Sequence, residues 1–422
     1  MKRALVLAGG GSKGAYEVGF VKALHELGIE YHIVTGTSIG ALNGCLLAQN
    51  DFDAMEKLWS QMDVQHVFAD GFQPDFQFDF NQIESQSNLA MSFLKKYVKE
   101  KGADITPLKN IVKDLLDEDK LLNSPIDFGL CTVHYPSLKP LFITKHEMER
   151  KHIFDYLIAS ASCFPIFPIH TFKEQSFIDG GYFDNVPVDL ALDMGADEVI
   201  IVDMNMEPTH SHYVDRPYFI YSCPYLDLGG FLDFNKEILE RNQRIGYQTA
   251  MKLFHHYMGC CYTFEKFDTY LFEDFYKEVL YLERYARNVL RSDSAKHIFN
   301  KFIESHQGKP LKEKDYLLIA LDWLAELVDR DPTYVYRYDL FVRDLLIDFE
   351  KYTKPNYQMM SFHASESFSE LFKDVNRKGI VGRMLHTMMY PEKEVSYVDK
   401  FFSLFSKEIV MAKLLYMLYQ NQ

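Results

Sequence analysis

Apolar and polar positions divide the chain into two parts with different rhythms. In the first part, short apolar runs bounded by glycine alternate with segments whose apolar residues recur every three or four positions. The run 3–8, RALVLA, reads as a buried parallel strand, and 15–27 follows as a helix with Val18, Val21, Leu24 and Leu27 on adjoining faces. A strand at 31–35 leads into a helix rich in small residues. Helical patterns at 53–62 and 87–98 flank a polar, aromatic insertion at 68–80. Strands at 126–133 and 139–144, a helix at 147–160, and strands at 176–178 and 198–203 complete the series. Such alternation predicts an α/β layer on a mostly parallel sheet. Beyond Pro208 strand signals nearly vanish, and helical patterns follow at 234–255, 264–291, 315–328, 333–352, 368–389 and 398–419, with no fixed-period repeat. The expectation is an α/β domain over 1–207 and an all-α accessory domain over 208–422.

Two glycine-rich stretches sit where strands run into helices. Gly36-Thr37-Ser38-Ile39-Gly40 has the spacing G-x-S-x-G, a nucleophile elbow in which a sharp turn exposes the serine hydroxyl above the sheet. The bland alternative is a packing turn with an ordinary serine. Gly9 to Gly14, GGGSKG, matches G-x-G-x-x-G after a strand. A dinucleotide site wants an acid at the end of the second strand, but Glu30 lies at that strand's beginning. A phosphate-binding loop wants lysine after the last glycine, and Lys13 precedes Gly14. The alternative is that the free amides of Gly9, Gly10 and Gly11 face a developing oxyanion, where each donor contributes ~3 kcal/mol. A serine nucleophile also needs a base. His134 and His170 are the only reasonable options at a strand end in the α/β part, and neither has a distinctive neighbourhood. Asp179 ends a strand and is followed by Gly180 and Gly181, which permit close backbone approach; its plain alternative is an acidic turn residue. Asp184 and Asp203 are rival bases without paired glycines.

GGGSKGAYEVG, GTSIG and DGG, in this order, resemble the three signature blocks of the patatin-like phospholipase family, and ASASCFPIFP before the DGG extends the likeness over about the first 205 residues. The resemblance implies a three-layer α/β/α core and a Ser-Asp dyad. Ser38 would attack an ester carbonyl, Asp179 would take its proton and later activate water, and the Gly9, Gly10 and Gly11 amides would hold the oxyanion. Gly14, Gly36, Gly40, Gly180 and Gly181 support the motifs. No metal or cofactor is implied, calcium included. A free aspartate, with a pKa near ~3.9, is a feeble base, so burial must raise it. Lys13 stands where similar proteins commonly carry arginine, so a role that needs the planar fork does not transfer to it.

Composition narrows the partners. A formal net charge of -15 is the wrong sign for nucleic acid or for strong attraction to anionic lipid. Six cysteines without a C-x-x-C pair argue against a zinc site or a disulfide framework. The five-residue apolar run ending before Gly9 is too short for a secretory leader, and no apolar stretch approaches the ~20 residues that span a bilayer, so a cytoplasmic protein is expected. Aromatics make up 15% of the chain. In the helical part, Phe401, Phe405, Met411, Leu415 and Leu418 form a stripe that reads as core before it reads as a lipid-binding face. The function expected is hydrolysis of phospholipid or lysophospholipid esters, with lipid as substrate and peripheral membrane contact; transacylation stays open. The rivals are a non-catalytic lipid-binding or regulatory protein and a dinucleotide-binding oxidoreductase.

Overall fold

A computed structural model describes residues 1–69, 102–289, 296–306, 310–355, 376–391 and 405–421. The aromatic insertion at 68–80 is thus described only at Phe68 and Ala69, and the expected helix at 87–98 and Phe401 lie outside these residues. The chain forms two compact units, Met1–Leu253 and Phe254–Gln422.

In the first unit β1 (Arg3–Leu7), α1 (Ala15–Glu26), β2 (Ile33–Thr37), α2 (Ile39–Ala48) and α3 (Phe52–Gln61) follow the expected order. The short helix α4 (Val64–Val67) comes next, then α5 (Thr106–Leu115), α6 (Glu118–Asn123), β3 (Asp127–Tyr135), β4 (Pro140–Thr144) and α7 (Ile153–Ser160). The unit closes with β5 (His170–Phe172), β6 (Gln175–Asp179), α8 (Val188–Asp193), β7 (Glu198–Val202), β8 (Phe219–Ser222) and α9 (Lys236–Leu253). The strands make one eight-stranded sheet in the order β5-β6-β3-β2-β1-β7-β8, with β4 also on β3. Its centre is parallel, while β4, β5 and β6 pair antiparallel.

β2 is buried along its whole length and β1 and β7 over four of five residues, as strands covered on both faces must be. Neighbouring residues of β3 identify the two covers, because consecutive side chains point to opposite faces. Phe128 lies against Gly44 of α2, while Gly129 faces Leu190 of α8. Helices therefore flank the sheet on both sides, giving the three layers expected.

The first unit runs past Glu207 to Leu253, because β8 extends the sheet beside β7 and α9 packs along α1. Two further glycines record how close that last packing is: a Cβ at Gly19 would lie 1.8 Å from the Gln243 carbonyl oxygen, and one at Gly246 would lie 1.9 Å from that of Tyr16.

The second unit is mainly helical. It comprises α10 (Leu271–Val289), α11 (Lys296–Ser305), α12 (Glu313–Leu327), α13 (Tyr338–Phe349), α14 (Arg377–Met389) and α15 (Ser406–Gln420). It also holds a small sheet that the sequence pattern does not predict: β9 (Tyr257–Met258), β10 (Thr263–Glu265) and β11 (Val335–Tyr336). Runs of two or three residues are too short to show a period. The Asp322 carboxylate accepts the amides of Cys261 and Tyr262 at 2.8 and 3.1 Å and so fixes the turn before β10. Met411, Leu415 and Leu418 belong to this unit's core. Among the described residues no helix is long and apolar enough to cross a membrane.

Candidate active site

Ser38 occupies the step between β2 and α2 with φ 56° and ψ -123°, a conformation that a residue with a Cβ adopts only under constraint. The constraint comes from the flanking glycines. A Cβ at Gly36 would lie 2.2 Å from the Gly40 carbonyl oxygen, and one at Gly40 would lie 2.5 Å from that of Ala8. Helix α2 therefore starts hard against the ends of β1 and β2, with Ser38 at its N-terminus. The Ser38 amide donates to Ser160 Oγ at 2.9 Å, and the Ser160 hydroxyl donates to the Cys131 carbonyl at 2.7 Å.

Register brings Asp179 to the same place from the other direction. β4 pairs with Gly129–Val133 of β3, overlapping both the stretch paired with β2 and the start of the stretch paired with β6. A strand has two edges, so β2 and β6 share the edge opposite β4. They meet there head-on: Thr37, at the end of β2, lies opposite Cys131, and Asp179, at the end of β6, lies opposite Thr132. Ser38 and Asp179, 141 positions apart in sequence, thus become neighbours. The Asp179 amide donates to the Ser162 carbonyl at 2.9 Å. Its carboxylate accepts the Gly181 amide at 2.8 Å, and the Ser38 side chain lies within its reach. Asp179 is only 5% exposed, and burial pushes its carboxyl up to about 7; the Ser38 side chain and the Gly181 amide pull the other way.

The glycine loop completes the constellation. A Cβ at Gly9 would come within 3.2 Å of the Ser38 Cβ, so the loop passes directly beside the serine. Asn185 clamps it: the Gly9 amide donates to the Asn185 carbonyl and the Asn185 carboxamide donates to the Gly9 carbonyl, both at 3.0 Å. The Gly9 amide is therefore engaged within the chain, which differs from its expected role as a free donor. Among the described residues, no hydrogen bond occupies the amides of Gly10 and Gly11. Beyond them, the Ser12 amide and hydroxyl donate to the carbonyls of Phe231 and Gly230 at 2.8 and 2.9 Å, tethering the loop. Gly14 packs under Ile39 and Trp59, leaving no room for a Cβ.

The other candidates are occupied elsewhere. The His134 ring packs on Phe177, with centroids 4.7 Å apart, and His170 bonds Asp155, which also holds His152. Asp184 accepts His210 and the Val186 amide, and its main-chain carbonyl accepts the Thr37 hydroxyl. Asp203 accepts the amides of Asn205 and Thr209 and the Tyr221 hydroxyl.

Sequence reasoning missed Ser160, Ser162 and Asn185, which hold the backbone of Ser38, Asp179 and Gly9. The signal for the first two was the small-residue run ASAS, quoted for its resemblance without a role. All six cysteines are free, and no group of three or more His, Cys, Asp or Glu able to hold a metal occurs among the described residues.

The family model for patatin-like phospholipase matches residues 5–192. Over 208 residues the chain is 31% identical to patatin-like phospholipase domain-containing protein 7 of Rattus norvegicus, covering 48% of this chain and 13% of that protein. It is 26% identical over 205 residues to lysophospholipase nte1 of Aspergillus terreus, covering 47% of this chain and 12% of that one. The chain thus spans 12–13% of the length of these curated relatives. Among solved structures, VipD from Legionella pneumophila aligns over 97% of this chain and 91% of its own at 14% identity, with a TM-score of 0.37. The glycine loop, the serine elbow and the aspartate turn all fall inside residues 5–192, the segment that matches the patatin-like phospholipase family model.

Proposed function

We propose that the protein is a lipid acyl hydrolase that cleaves ester bonds of phospholipids or lysophospholipids through Ser38 and Asp179. What supports this reading is that β2 and β6 end head-on, which brings Ser38 beside the buried Asp179, whose carboxyl burial pushes up to about 7. A carboxylate in that range is matched to proton transfer near neutral pH. Ser38 Oγ attacks the ester carbonyl carbon as its proton passes to Asp179. The tetrahedral oxyanion is met by the amides of Gly10 and Gly11, and its collapse expels the alcohol, which takes the proton from Asp179. Water, giving a proton to Asp179, then attacks the acyl-serine; the second collapse returns that proton to Ser38 and frees the fatty acid. Transfer of the acyl group to another alcohol follows the same steps with that alcohol in place of water.

A small apolar cavity beside the elbow offers the start of an acyl chain an apolar wall. It opens beside the residue after the nucleophile, with Ile39, Leu42 and Leu46 along one face of α2 against Leu58 of α3 and Ile111 and Leu115 of α5. The named activity of the relative nte1 is that of a lysophospholipase, which agrees with a substrate carrying one such chain.

The test is incubation of wild type and Ser38→Ala with a mixed lipid extract, with products read by mass spectrometry. Free fatty acid and the matching deacylated lipid are expected from wild type alone. Equal turnover by both proteins would rule out the mechanism. No turnover by either, with no covalent labelling of folded wild type by a fluorophosphonate, would favour the non-catalytic lipid-binding alternative.

A further inference from the structure

The carboxyl end of the sheet carries a patch of exposed aromatic and aliphatic side chains. β3 continues four residues beyond Cys131, the position opposite Thr37, so the β3–β4 hairpin projects ~13 Å past the elbow. Its tip exposes Tyr135 and Leu138, the latter 59% accessible, and Phe142 on the returning strand is also exposed. On the turn after Asp179, Tyr182 and Phe183 are exposed, the latter at 57%.

Contacts join these residues into one surface. The rings of Phe142 and Phe183 meet edge to face at 6.1 Å, those of Tyr135 and Phe164 lie 5.9 Å apart, and the Tyr182 hydroxyl donates to the Phe164 carbonyl. In a chain that is 25% charged, the stretches 133–142, 162–168 and 179–183 contain one Lys, Lys139, and one acid, the buried Asp179.

From this juxtaposition we infer that the hairpin tip and the Tyr182–Phe183 turn form a docking surface for a zwitterionic phospholipid layer. The inference rests on the hydrolase reading, which requires lipid to reach Ser38 from an aggregated phase. Tyrosine and phenylalanine suit the boundary between headgroups and acyl chains, where an apolar body and a polar tip are both satisfied. A single lysine with a net charge of -15 gives no attraction to anionic lipid, so insertion of apolar side chains supplies the binding. The turn after Asp179 carries Tyr182 and Phe183, so the patch begins three residues from the proposed base. A membrane seated there presents the substrate.

The experiment uses the full chain in a Ser38→Ala background, so that vesicles stay intact, with and without Leu138→Asp and Phe183→Ser. Leu138 has φ 56°, a conformation that aspartate tolerates well, and thermal melting checks that both proteins are folded. Cosedimentation with phosphatidylcholine vesicles should weaken at least about tenfold in the double variant, the loss expected when two large apolar side chains no longer insert. Binding of the parent should stay constant between low and high salt. Equal binding by the two proteins, binding that falls away with salt, or a dimer that the double variant converts to monomer would overturn the inference. Because this arm needs no catalysis, it separates from the reading beneath it. Vesicle binding through the patch without lipid turnover by wild type would overturn hydrolysis alone, and turnover of dispersed lysophospholipid without patch-dependent vesicle binding would overturn the patch alone.

Discussion

Two carboxyl groups in the α/β unit are both buried, and their neighbours give them different work. Asp179 is 5% exposed and Glu17, on α1, is fully buried. Burial pushes the first up to about 7 and the second up to about 8. In the proposed mechanism Asp179 takes the proton of Ser38, a hydroxyl that reacts once deprotonated. Glu17 receives the Asn43 carboxamide at 2.8 Å, while Asn43 also donates to the Gly14 carbonyl and accepts the Trp59 indole N–H. Glu17 therefore ties α1, α2 and α3 together beneath the glycine loop and meets nothing that can become a nucleophile. A raised pKa marks desolvation; the adjacent atom decides whether it serves catalysis or packing.

The largest expected effects lie at the dyad. Ser38→Ala should lower kcat/KM for ester hydrolysis at least about a thousandfold, and Asp179→Asn should lower it on the order of a thousandfold, since the amide cannot take the proton. Glu17→Gln should change it less than about threefold under the same assay, because glutamine keeps an acceptor for Asn43. Comparable losses in the Asp179 and Glu17 variants would erase the distinction. A smaller effect is expected one bond away from the nucleophile. Ser160→Ala releases the Ser38 amide and should cost about 1–2 kcal/mol of transition-state stabilisation, roughly tenfold in kcat, with KM little altered.

Stability is the readout in which the two carboxyls behave alike. Each folded pKa lies above its ordinary value, 3.8 for Asp179 and 4.5 for Glu17, so each contribution to stability is fully present at lower pH. It is lost as pH rises through about 7 and about 8, respectively. Asp179→Asn and Glu17→Gln remove that loss, so the melting temperature of each variant relative to wild type should rise between pH 5 and pH 9. A gap that shrinks over this range would show that the groups are not held neutral. Melting curves should thus group the two variants together, while assays separate them.

Much of this arrangement was legible in the sequence because its parts are local. The elbow needs glycines within two residues of Ser38, the DGG turn needs them directly after Asp179, and the central strands announce themselves as apolar runs closed by glycine. What was not legible depends on long-range register. Ser160 and Asn185 act through hydrogen bonds to residues 122 and 176 positions away, and no local pattern distinguishes them from other small polar residues. The engaged Gly9 amide is likewise visible only once Asn185 lies across the loop. The division after Leu253 was hidden because α9 looks like any amphipathic helix until it packs along α1.

The most direct test of Asp179 as the base is the pH dependence of Ser38 labelling by a fluorophosphonate, which reports proton removal from one hydroxyl without any choice of lipid. Wild type should label along a rising limb with a midpoint near the value to which burial pushes Asp179, about 7. Asp179→Asn should label slowly at every pH, with that limb gone. A wild-type rate that stays flat from pH 5 to pH 8, or an Asp179→Asn protein labelled as fast as wild type, would contradict the assignment.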